Sequence, residues 1–168
     1  RNRVEVVRVD DVDLEKRQGE MRWVLEINAA LKENRFELFR QRIVSSDEND
    51  QKKIRYEILI RLRDKDNEVI TPDAFLPAAE RFDLITKIDR WVVINSMTWL
   101  REMQDEHPVE ISINLSGASI ANKNFLDFVV TKIHEFDIDP ELICFEVTET
   151  AAITNLSRAQ RFMNIVTG

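Results

Sequence analysis

The sequence predicts an α/β domain whose strands form a parallel sheet or barrel covered by helices, and three observations predict it. Short apolar runs alternate with helical patterns through the second half of the chain. Under a period of two, each of those runs separates into one oily face and one polar face. At 168 residues and 43% hydrophobic, the chain is large enough for one sizeable core.

In chain order, residues 4–9 read as a short strand and the charged segment 10–19 as a linker or solvated helix. From Glu20 the pattern turns helical, with Trp23, Ile27, Ala30 and Leu31 on one stripe. Residues 36–44 and 54–62 read as strands joined by the polar turn SSDENDQKK, a hairpin whose arms are antiparallel neighbours. After the turn DKDNE, Thr71 is placed to cap a helix and Pro72 to occupy its first position. A long helical pattern follows, with Ile88, Trp91, Val92, Asn95 and Trp99 on one face. Residues 109–116 then read as a strand and 122–136 as a helix with Phe125, Phe128, Val129 and Ile133 inward, a βα unit. A further strand over 142–149 and a helix over 157–166, with Phe162, Ile165 and Val166 apolar, complete the series.

The strand RYEILIRL sets Glu57, Leu59 and Arg61 on one face and Tyr56, Ile58 and Ile60 on the other, which suits covering helices. In the same way Ser112, Asn114 and Ser116 separate from Ile111, Ile113 and Leu115, and Cys144, Glu146 and Thr148 from Ile143, Phe145 and Val147. Strands separated by helices normally have both faces covered, so inside a barrel the polar faces converge. Glu57, Asn114 and Glu146 then supply carboxylate and amide oxygens to one cavity, the donor set hard cations such as Mg²⁺ or Mn²⁺ prefer. Arg61 lies about 13 Å along the strand from Glu57, too far for direct pairing at the usual rise. A bidentate grip on a substrate phosphate suits it better. Taken singly, each of these residues is more economically an ordinary strand polar group; taken together they are not.

A net charge of −7 and a pI near 5.0 leave no basic footprint for duplex nucleic acid or an anionic membrane. Cys144, the only cysteine, rules out an internal disulfide and fits the cytoplasm; as a packed thiol it is a poorer candidate for a nucleophile. His107 and His134 have no partner at ligand spacing, and the three tryptophans fall on helical stripes as core residues do. The chain carries no run of about 18 apolar residues. Both of its ends read as cuts from a longer protein, whose other domains would carry any membrane anchor.

These residues resemble the EAL-domain cyclic di-GMP phosphodiesterases of bacterial signalling. YEILIRL resembles the signature strand, TPDAFLPAAERFDLITKIDRWV the segment after it, and ISINLS and FEVTET the next two strand motifs. The resemblance covers about residues 20–168, and residues 1–19 resemble the tail of a GGDEF domain with its linker. It implies a modified TIM barrel of which the N-terminal half to two-thirds is present, with the site at the C-terminal ends of the strands. It further implies Glu57, Asn114 and Glu146 as ligands of a two-metal Mg²⁺ or Mn²⁺ site, and Arg61 as a phosphate contact. Gln41 and Leu59 are implied as contacts to the dinucleotide. Glu149 is the implied glutamate that orients a metal-site loop and couples it to a homodimer. The implied reaction opens one phosphodiester of cyclic di-GMP to linear pGpG by metal-activated water.

Ile58 departs from the usual alanine of the signature and Arg42 from the proline that usually follows Gln41; both alternate away from the cavity. The family's paired aspartates, lysine and late glutamate would all lie beyond Gly168, so the 168-residue chain is expected to be inactive by itself. The rival expectations are an EAL domain that has lost catalysis and acts as a cyclic di-GMP receptor, and a regulatory dimerisation segment that binds no nucleotide.

Overall fold

A computed structural model describes residues 9–44, 46, 54–103 and 109–147, with side chains from residue 19 onward. Helix α1 spans Val9–Glu33 and ends where Asn34 turns back in the left-handed region (φ 58°). Of the two readings of segment 10–19, linker or solvated helix, the structure has the helix: it is continuous with the one expected from Glu20, so α1 starts at Val9 and runs unbroken through the expected boundary at residue 19. Within segment 10–19 the run Leu14, Glu15, Lys16, Arg17 and Gln18 consists of good helix formers, the three aspartates fall near the helix N-terminus where acidic residues are favoured, and Val12 and Gly19 oppose the extension. The strand expected over 4–9 lies outside the described residues except for Val9, which is helical.

Strands β1 (Phe36–Ile43) and β2 (Ile54–Arg63) pair antiparallel as predicted, and β2 is joined on its other edge by parallel β4 (Val109–Leu115), then β5 (Ile143–Val147). A two-residue strand not assigned from the sequence, β3 (Val69–Ile70), follows the turn DKDNE and pairs with the end of β2. Asp64 makes that turn by accepting the Asp66 and Glu68 amides on Oδ1, and Asn67 takes a positive φ of 67°.

The long helical pattern after Thr71 divides into α2 (Pro72–Arg81) and α3 (Ile85–Met103), because Asp83 adopts φ 55°, a conformation a short polar side chain tolerates. Pro72 occupies the first helical position as expected, whereas the Thr71 side chain makes no capping bond. Beyond β4, Ser116 caps the short helix α4 (Gly117–Ala121), and Asn122 caps α5 (Lys123–Glu135). A 3₁₀ turn over Pro140–Leu142 leads into β5. The helix expected over 157–166 falls outside the described residues.

The core lies between the oily sheet face and the helices. Ile58, Leu62, Ile111 and Ile113 from the sheet meet Ile27 of α1, Phe75 of α2, Val93 and Met97 of α3, and Phe125 and Val129 of α5. Phe36 stacks against both Phe75 (5.6 Å) and Trp91 (5.7 Å), welding β1 to α2 and α3. Trp23, Trp91 and Trp99 pack against this core as their stripes predicted. Ile58, the departure from the signature, is 3% exposed and belongs to the core face. Arg42 sits opposite Tyr56, on the face away from Gln41. The remaining Arg35 ties α1 to the strands: its guanidinium holds Glu26 at 2.6 Å and the Arg63 carbonyl at 2.7 Å.

Candidate active site

Register and alternation together lay out the polar face. Gln41 is the cross-strand partner of Glu57, Glu57 of Ser112, and Ser112 of Cys144, so these four form one row across β1, β2, β4 and β5. One step toward the C-terminal ends of the parallel strands, Asn114 is the partner of Glu146. Phe39 and Leu59 face each other on the antiparallel pair in that same layer.

The Asn114 amide Nδ2 donates to Glu57 Oε1 at 2.9 Å, the direct link between the two strands' functional groups. Asn114 and Glu146 are both exposed, and Glu57 is half-buried. The structure thus brings Glu57, Asn114 and Glu146 to one patch, as the alternation predicted. Glu149 lies outside the described residues. Two carboxylates and an amide on neighbouring strands are hard oxygen donors, and with Nδ2 engaged by Glu57 the Asn114 carbonyl oxygen is left for another partner. This set fits a divalent cation in part; among the described residues no cluster of three His, Cys, Asp or Glu side chains would hold one unaided.

Arg61 lies farther up the same face. Its guanidinium stands 5.4 Å over the Phe39 ring and donates to the Ile60 carbonyl at 2.8 Å. Its cross-strand neighbour Glu37 is engaged instead by Arg63 at 2.9 Å, so among the described residues Arg61 carries no carboxylate partner. A guanidinium kept out of internal ion pairs is available to an anion. At the opposite end of the face, Arg55 and Glu110 pair at 2.6 Å.

Sequence reasoning missed Asp89. It lies on α3, is 5% exposed, and accepts from both the backbone N–H (3.0 Å) and the hydroxyl (2.6 Å) of Ser116. Burial pushes its carboxyl above the usual carboxylate range, against the opposing pull of the Ser116 bonds. The signal was present: Asp89 falls four residues after Ile85 and one after Ile88, inside the apolar stripe of KIDRWVV. A cavity of about 280 Å³ opens beside it, bounded by Leu59, Ile60, Pro72, Leu76, Asp89 and Asn114.

The EAL domain family matches residues 25–167. The chain belongs to the EAL domain family. It is 30% identical over 165 residues to the cyclic di-GMP phosphodiesterase PdeB of Shewanella oneidensis, covering 96% of this chain and 19% of PdeB. It is 33% identical over 135 residues to the cyclic di-GMP phosphodiesterase PdeF of Escherichia coli, covering 80% of this chain and 18% of PdeF. Among solved structures, the EAL domain of FimX from Pseudomonas aeruginosa bound to c-di-GMP superposes with a TM-score of 0.74 at 29% identity, over 83% of this chain and 55% of that one. The chain therefore spans about a fifth of the length of these curated relatives and just over half of the FimX chain. The EAL likeness establishes the α/β, TIM-barrel-like fold class, here in part.

Proposed function

We propose that the full-length protein carrying this EAL domain hydrolyses cyclic di-GMP to linear pGpG in a reaction supported by Mg²⁺ or Mn²⁺. One observation carries the reading: Asn114 bonded to Glu57, with Glu146 in register beside Asn114, at the C-terminal side of parallel strands. The relatives named as cyclic di-GMP phosphodiesterases support it.

In this reading Glu57, Asn114 and Glu146 hold the cation, and Glu149 orients a loop of the same site. When bound, divalent cations stabilise developing charge on the phosphoryl oxygens and activate water for attack. Arg61 grips a phosphate with its guanidinium, which has no carboxylate partner among the described residues, and Phe39 beneath it restricts the swing of the side chain. Gln41 and Leu59, on the same face, contact the dinucleotide. The site needs further acidic groups to complete its donor set, so the 168-residue chain alone is inactive. Residues 1–19 are the tail of a GGDEF domain, and the working form is a cytoplasmic homodimer.

A second reading has a specific observation behind it: FimX is a c-di-GMP-bound EAL domain, which makes a receptor without turnover the alternative. Incubating the full-length protein with cyclic di-GMP and Mn²⁺ separates the two. Accumulation of pGpG supports the enzyme, and equilibrium binding in Ca²⁺ without pGpG in Mn²⁺ supports the receptor.

A further inference from the structure

We infer that Asp89 is a positioning residue for the Asn114–Glu57 pair, clamping the C-terminal end of β4 from the helix side while Asn114 faces the site. The inference rests on the metal-site reading above and adds a residue outside the proposed ligands.

The geometry is specific. Asp89 Oδ2 accepts both the Ser116 N–H at 3.0 Å and the Ser116 hydroxyl at 2.6 Å, and the same Ser116 Oγ accepts the Ser119 N–H at 3.1 Å. Ser116 follows the last residue of β4 and lies two residues beyond Asn114. The carboxylate thus ties α3, the strand end and the first turn of α4 into one unit. Hydrogen bonds to a carboxylate are about twice as strong as neutral ones. A carboxylate in an apolar helix stripe is costly to bury, so stability alone would favour an aliphatic residue there. What an aliphatic residue could not do is fix the strand end against the helix. A small shift in the β4 end would displace the exposed Asn114 amide from Glu57, 2.9 Å away. Partners that orient ligands from behind typically cost 10–100-fold in metal affinity when removed.

The test uses the full-length protein, with Mn²⁺ binding followed by the electron paramagnetic resonance of the free ion and amide exchange followed over residues 115–119. Asp89→Ala should speed exchange of the Ser116 amide and weaken Mn²⁺ binding about tenfold, the lower end of that range. Asp89→Asn, whose side-chain oxygen can accept the same two bonds, should restore most of both. Val93→Ala, a core truncation on the same helix, should lower stability while leaving Mn²⁺ affinity unchanged. If Asp89→Ala does not fold, Ser116→Ala decides by the same two readings, with a smaller change in the same direction. Unchanged exchange, or faster exchange with unchanged Mn²⁺ affinity, overturns the inference alone. Failure of the unsubstituted protein to bind Mn²⁺ overturns the site reading and the inference with it.

Discussion

Glu57 and Asn114 are single side chains joined by a 2.9 Å hydrogen bond between strands, and the proposed metal site is built on that pair. Replacing Glu57 with Gln should lower turnover in the full-length protein at least about 100-fold, the scale of losing one group that stabilises the transition state. A kinetic assay under saturating Mn²⁺ that found near-normal turnover would remove Glu57 from the site. Arg61→Ala should instead act mainly on KM, since the guanidinium is assigned to phosphate binding and not to the metal. Asp89 gives a pH prediction with a definite sign. Its folded-state pKa is raised above the ordinary 3.8 by burial, with Glu80 adding a like-charge push and the Ser116 bonds pulling down. Its contribution to stability is therefore complete below about 3.8 and is lost as pH rises through the raised value. Urea unfolding across that window should show a weaker decline with pH in Asp89→Asn than in the unsubstituted chain. Glu57, Asn114 and Glu146 were legible because strand alternation assigns faces without knowledge of neighbours. Asp89 was not, because an acidic residue in a helix reads as solvated until its stripe is checked position by position.

At the scale of elements, strands were read more accurately than helix ends. The antiparallel β1–β2 pair emerged as predicted, whereas α1 began at Val9 and one long helix proved to be α2 and α3. Both have local causes: a charged segment has no stripe to decide between a linker and a solvated helix, and Asp83 breaks the chain direction without Gly or Pro. The α1 extension makes a direct prediction. A Cβ at Gly19 would meet no atom within 4 Å, so Gly19→Ala should stabilise the chain by about 0.5–1 kcal/mol through helix propensity. Chemical denaturation that showed no gain would mean that the helix does not run through residue 19. Phe75, fully buried between Trp23 and Phe36, should in contrast cost about 3–5 kcal/mol as Phe75→Ala.

For the whole molecule, the sheet has one face packed against helices and one polar face carrying Gln41, Glu57, Asn114 and Glu146. Phe39 and Ile43 on that face are 41% and 39% exposed, large apolar groups beside the polar row. The chain spans just over half of the FimX EAL chain. Exposed apolar surface of this kind promotes association, so light scattering of the 168-residue chain should report species larger than a monomer. The half barrel was legible because alternating strands and helices specify layers. What lies across the face was not, since closure depends on residues distant in sequence. The central claim is a metal-dependent site for cyclic di-GMP built on Glu57, Asn114 and Glu146. Its most direct test is pGpG formation by the full-length protein with Mn²⁺, for the unsubstituted form and Glu57→Gln side by side. The account predicts turnover in the first and at least about a 100-fold loss in the second. Equal turnover in both, or none in the unsubstituted protein, would contradict it.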